Sequence, residues 1–151
     1  MDMPQQWWER NDIGYRQNRL FSGNQDLREL AESSGTPAYA YNAARINQNL
    51  TSLSDALAKE KIQFKIFYAL KANRYLPLVT SLKLSGHCGA DVCSPGELSL
   101  ARQAGFHENE ITYTGTSISD EDIECLKRHP GVRVNCGRKR RQTFCRGQRR
   151  L

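Results

Sequence analysis

The sequence predicts an α/β fold with parallel strands, and three observations carry that expectation. From Phe64 onward, short apolar segments recur roughly every twenty to twenty-five residues. Each pair of them is separated by a stretch with helical spacing. The boundaries of those stretches carry residues that cap helices. Strands that alternate with helices in this way lie side by side and parallel, joined by right-handed crossovers.

Residues Met1 to Ser34 mix aromatic and polar side chains around Trp7-Trp8 and offer one short helical candidate, Gln25 to Glu32. The tryptophans read as packing or interface anchors. Gly35-Thr36-Pro37 punctuates the chain, and Ala38 to Tyr41 then reads as a short strand. In Ala43 to Lys59, the spacing of Ile46, Leu50, Leu53 and Leu57 predicts a helix with that face buried.

Four strands are then predicted at Phe64 to Leu70, Cys88 to Cys93, Ile111 to Thr114 and Val132 to Val134, with helices at Leu76 to Leu84, Pro95 to Ala104 and Ser119 to Arg128. Ser94 can cap a helix with Pro95 at its first position and Glu97 three residues after the cap; Ser119 precedes Asp120, Glu121 and Asp122. Gly86, Gly105 and Gly131 stand where helices should end.

Composition narrows the function classes. At 151 residues and 38% hydrophobic content, one domain or part of one is expected. No run of eighteen apolar residues and no basic-then-apolar leader is present, so a cytoplasmic protein without a membrane partner is expected. Cys88, Cys93, Cys125, Cys136 and Cys145 form no CxxC pair, and the three histidines lack ligand spacing, so neither a disulfide framework nor a metal site is expected. Cys88 and Cys93 read as small buried hydrophobes in a reducing compartment.

The net charge of +6 is local. Seven of the 22 Lys and Arg residues lie in residues 136–151, which hold no Asp or Glu; the other fifteen stand against all 16 acidic residues. This tail can bind phosphate backbones, stay disordered, or be foreign to the fold, through a frameshift after about Asn135. Without aromatic residues beyond Phe144 to stack on bases, a nucleic-acid partner is not expected.

In a parallel sheet the strand ends gather on one edge, where ligands bind in α/β folds. Lys71, the Asp91 to Ser94 segment and Tyr113 to Thr116 are expected to converge there. Lys71 closes an apolar strand and is followed by Ala72-Asn73, an arrangement that can present an amine to an aldehyde cofactor. Asp91 reads equally as a functional acid or as a turn residue at a strand end.

Gly35-Thr36-Pro37 with Tyr39 and Tyr41, then Tyr68-Ala69-Leu70-Lys71-Ala72-Asn73, then Gly89-Ala90-Asp91-Val92-Cys93-Ser94-Pro95-Gly96-Glu97-Leu98, then Ala104-Gly105-Phe106, resemble the amino-terminal barrel domain of the group IV pyridoxal-phosphate-dependent decarboxylases. Within that group the pattern is most similar to the diaminopimelate decarboxylases, which convert meso-diaminopimelate to L-lysine and CO2. The resemblance covers roughly Gly35 to Asn135.

It implies an incomplete (β/α)8 (TIM) barrel at 35–135, after an extension at 1–34 and before a basic, disordered tail at 136–151. It also implies pyridoxal 5'-phosphate carried on Lys71, with Asn73 beside the cofactor and Asp91 orienting the lysine or balancing its charge. A small amino-acid substrate and a homodimer are implied for the intact family. Three other readings stay open: a non-catalytic regulator on this scaffold; an ornithine, arginine or carboxynorspermidine decarboxylase; and a barrel-type racemase. Racemases typically follow the lysine with Ala-Asn-Ala-Tyr-Gly, whereas Ala72-Asn73-Arg74-Tyr75-Leu76-Pro77 stands here.

In the family, the glycine-rich phosphate segment, the acid that pairs with the pyridine nitrogen and the partner subunit's cysteine segment all come later than Asn135. A whole barrel takes roughly 250 residues. The chain is therefore expected to be marginally stable, aggregation-prone and inactive alone, with unpaired strand edges.

Overall fold

The computed structural model describes residues 7–115 and 117–136. The chain divides into two compact units between Gln48 and Asn49.

In the first unit, strands β1 (Ile13–Arg16), β2 (Arg19–Ser22) and β3 (Gln25–Asp26) form an antiparallel sheet in that order, followed by helix α1 (Leu27–Ser34). The predicted helix from Gln25 thus starts two residues late. Asp26, 4% exposed, ends β3 and accepts hydrogen bonds from the Arg28 and Glu29 amides at 2.8 and 3.2 Å, which makes it the N-cap. Trp8 packs edge-on against Tyr15, whereas Trp7 is 94% exposed. The predicted strand at Ala38 to Tyr41 is irregular, and Tyr39 and Tyr41 are exposed. No strand among the described residues offers it a ladder.

Helix α2 (Ala43–Lys59) starts where predicted, with the Asn42 side chain accepting from the Arg45 amide. Its predicted apolar face is buried only at Leu50, and Leu53 is exposed.

The second unit holds the parallel sheet. Strands β4 (Phe67–Ala69), β5 (Gly89–Val92), β6 (Ile111–Gly115) and β7 (Arg133–Cys136) pair in sequence order, and helices α3 (Leu76–Ser85), α4 (Pro95–Gln103) and α5 (Asp120–Lys127) fill the crossovers. The βαβ alternation expected from the sequence is present. β4 is shorter than predicted: pairing begins at Phe67, opposite Gly89, and the chain leaves the ladder at Ala69 to form a 3-10 turn over Leu70–Ala72.

Alternation along the strands sorts residues onto two faces. Tyr68, Ala90, Val92, Ile111, Tyr113 and Val134 lie on the face that packs against Val79, Leu98, Ala101, Phe106 and Leu126 to form the core. Phe67, Ala69, Asp91, Thr112, Thr114, Arg133 and Asn135 share the opposite face. β4 and β7 are the edges of this sheet among the described residues.

The helix boundaries follow local chemistry. Ser119 and Asp122 form a complete capping box, with bonds of 3.1 and 2.7 Å. Gly86 closes α3 in the left-handed region at φ 71°, where a side chain would be strained. Gly131 is expected to end a helix, but α5 ends at Lys127 with Arg128 as its C-cap; Gly131 instead leaves room for Glu108, whose Cβ lies 2.8 Å from where a side chain would begin. No helix among the described residues is long and apolar enough to cross a membrane.

Candidate active site

Lys71 is the middle residue of the turn that follows β4, held from below by Leu70, which is fully buried in the core. The expected strand-terminal lysine therefore lies two residues past the last paired residue, on a turn. Its side chain is exposed, and among the described residues its amine has no hydrogen-bond or ion-pair partner. The turn closes through the Asn73 amide, which donates to Leu70 O at 3.1 Å. The Asn73 side-chain carbonyl accepts from the Tyr75 amide at 2.9 Å, an Asx-type bond that leads into α3. The side-chain NH2 of Asn73 has no hydrogen-bond partner among the described residues.

Asp91 sits inside β5, paired on one side with Ala69 and on the other with Thr112, so it is neither a turn nor a cap residue. Its Oδ1 accepts from the Thr114 hydroxyl at 2.7 Å, and the Asn135 Nδ2 donates to Thr114 Oγ1 at 2.9 Å and to Thr112 Oγ1 at 3.2 Å. A polar row thus crosses β5, β6 and β7 on the sheet face opposite the helices. Of the predicted Tyr113 to Thr116 segment, Thr114 belongs to this row. Tyr113 turns into the core, where burial and then the Asp122 charge push its phenol pKa up, so it stays protonated. Thr116 lies outside the described residues, as does the predicted tail beyond Cys136.

The structure adds a group the sequence reading took only for a cap. Glu97 is 2% exposed. Ser94 Oγ accepts from the Glu97 amide at 3.2 Å as a cap should, but the Glu97 carboxylate passes over Ser94 and takes the Cys93 amide at 2.9 Å and the Cys93 thiol at 3.2 Å through Oε2. Its Oε1 pairs with Arg74 Nη2 at 2.8 Å. Cys93 is exposed, contrary to the buried role expected for it, whereas Cys88 is buried. The hydrogen bond to Glu97, then burial and the Glu97 charge, push the Cys93 thiol up; Lys71 and Arg74 oppose this. A thiol so held is a poor nucleophile at neutral pH.

The first unit contains an open groove of about 760 Å³ lined by Asp12, Arg16, Tyr41 and Arg45 among others, and it includes none of Lys71, Asn73 or Asp91. Among the described residues no cluster of His, Cys, Asp and Glu could hold a metal ion.

The profile of the pyridoxal-dependent decarboxylases, pyridoxal binding domain, matches residues 43–140, which include the Lys71 turn, the polar row and Glu97. The chain belongs to this family. Diaminopimelate decarboxylase from Methanothermobacter thermautotrophicus is 39% identical over 127 residues, which are 84% of this chain and 28% of that protein. Diaminopimelate decarboxylase from Aquifex aeolicus is 37% identical over 111 residues, 74% of this chain and 25% of the relative. Among solved structures, the diaminopimelate decarboxylase of Methanocaldococcus jannaschii in co-complex with L-lysine superposes with a TM-score of 0.76 at 27% identity, covering 91% of this chain and 32% of that one. The chain thus spans about 30% of the length of the relatives it matches. As a decarboxylase-family chain it is an α/β fragment of the kind those barrels contain, as the motifs predicted.

Proposed function

We propose that the chain carries the cofactor-attachment part of a pyridoxal-phosphate-dependent diaminopimelate decarboxylase, which removes CO2 from meso-diaminopimelate to give L-lysine. The single observation that supports it most is the exposed Lys71 amine, without a partner among the described residues, at the carboxyl-terminal edge of a parallel sheet within a domain whose family binds pyridoxal. The residues present fit the cofactor at its aldehyde end: Lys71 offers the amine, Asn73 an uncommitted amide nitrogen and Asp91 a carboxylate.

When bound, the pyridoxal ring supplies the electron sink that makes loss of CO2 feasible. Lys71 has to lose its proton before it can attack an aldehyde. Its Nζ would also be placed to deliver a proton to the substrate carbon that bears the departing carboxylate. Asp91, fixed through Oδ1 by Thr114, keeps Oδ2 for orienting the lysine or balancing its charge.

The same reading includes a homodimer for the intact enzyme, a cytoplasmic location consistent with free thiols at Cys88, Cys93 and Cys125, and a chain organised as an extension at 1–34, a partial barrel at 35–135 and a basic tail at 136–151. The test is CO2 release from carboxyl-labelled meso-diaminopimelate with pyridoxal phosphate, using the full chain together with the remaining segment of a relative supplied as a second polypeptide. Release abolished by Lys71→Ala is expected. Release that survives Lys71→Ala, or that never depends on this chain, would refute the proposal.

A further inference from the structure

Glu97 is a buried carboxylate on α4, the helix against which the Lys71 turn packs. The Lys71 turn packs against β5 and α4, and Lys71 and Arg74 are the two cations whose charge reaches the Cys93 thiol, which itself bonds Glu97. An ionised carboxylate removed from water demands compensation by opposite charge and hydrogen bonds. Glu97 receives two hydrogen bonds at Oε2, from the Cys93 amide and thiol, while Oε1, which accepts no hydrogen bond among the described residues, is compensated by the Arg74 charge 2.8 Å away. Arg74 is 65% exposed and follows Lys71 by three residues, so it reaches inward from solvent to a carboxylate on the helix against which the Lys71 turn packs.

We propose that the Arg74–Glu97 ion pair is a positioning device for Lys71. Arg74 occupies the carboxylate that would otherwise take the lysine's ammonium, and it fastens the end of the turn to α4, which leaves the amine unpaired. The inference rests on the reading of Lys71 as the cofactor-bearing residue and deepens it. The titratable and charged groups on the elements packed against the turn are Asp91 and Cys93 at β5, and Glu97 and Arg102 on α4. Asp91, held through Oδ1 by Thr114, forms no ion pair with Arg74 among the described residues, and Arg102 bonds Phe106 O beyond the far end of α4. Glu97 is therefore the carboxylate whose pairing changes when Arg74 is lost.

The test is competitive acetylation of the full-length chain by acetic anhydride across a pH series, with each lysine read by mass spectrometry. In Arg74→Ala the midpoint of the Lys71 profile should rise by about one unit, so that acetylation near neutral pH slows about tenfold while the other lysines keep their profiles. Arg74→Lys, which can still pair with Glu97, should keep the wild-type profile. The double variant Arg74→Ala/Glu97→Gln should also return Lys71 to it. An unchanged Lys71 profile in Arg74→Ala, or one equally raised in the double variant, overturns the inference. Acetic anhydride reports the amine without any cofactor, so the two readings fail separately. A shifted profile in a chain that never attaches pyridoxal phosphate at Lys71 would uphold the ion-pair role and overturn the cofactor reading.

Discussion

Alanine at position 89 would strike the sheet at the point where β4, β5 and β6 meet. A Cβ on Gly89 would fall 2.3 Å from the Glu110 carbonyl oxygen and 2.8 Å from two carbons of the Phe67 ring. The ring can swing away, at the loss of its contacts with Lys65 and Arg133, whose cations lie 5.1 and 5.7 Å from its centre. The oxygen belongs to backbone at the start of β6 and can yield only if the two strands part. Overpacking typically costs about 1–3 kcal/mol, and a backbone clash places this case at about 3 kcal/mol or above. For a unit of this size such a loss lowers Tm by about 12–24 °C. The control is Gly96→Ala in α4, where the nearest atom to the new Cβ is Ser94 Oγ at 4.0 Å; the helix should gain up to about 1 kcal/mol. Pulse proteolysis in urea measures both. A Gly89→Ala midpoint within about 0.5 kcal/mol of wild type, or equal losses in the two variants, would refute the reasoning.

Three further outcomes are expected. Leu98→Ala, in a side chain 1% exposed, should cost about 2–5 kcal/mol in the same urea assay. Ser119→Ala should cost about 1 kcal/mol by removing the bond to the Asp122 amide, with faster hydrogen exchange confined to the first turn of α5. Glu110 is held below its ordinary 4.5 by its bonds from Lys83 and the His107 amide, and Glu108 by His129 and the Gly131 amide. Folded values below unfolded ones mean stability that is present above pH 4.5 and lost as pH falls through the lower folded values. The urea midpoint should therefore drop on acidification below 4.5, and the Glu108→Gln/Glu110→Gln variant should show a smaller drop.

The second unit was legible because its signals are local. Capping at Ser94 and Ser119, glycine after α3 and apolar runs at β5 and β6 each act within a few residues, and together they fix a βαβ pattern. The first unit was not. β1 and β2 are joined through Gln17-Asn18, both at positive φ, a turn usually marked by glycine, so the hairpin left no sequence signal. Leu53 shows the converse: its helical spacing was correct, but burial depends on a neighbour that periodicity does not supply. In the candidate site, the run ending at Lys71 singled out that lysine, and the strand order set Asp91 opposite Ala69, two residues before it. The polar row needed the register, because only cross-strand pairing sets Thr114 next to Asn135 and one step from Asp91. Glu97 was hidden because a carboxylate three residues after a serine cap has the same spacing whether it bonds the cap or, as here, the residue before it.

Lys71 is proposed as the residue to which this domain attaches pyridoxal phosphate. Incubating the purified chain with pyridoxal phosphate, trapping with borohydride and mapping the reduced adduct by mass spectrometry tests it directly. One dominant adduct is expected at Lys71, disappearing in Lys71→Ala while background labelling elsewhere stays constant. Equal labelling across the lysines, or a dominant adduct at any other position, would contradict it.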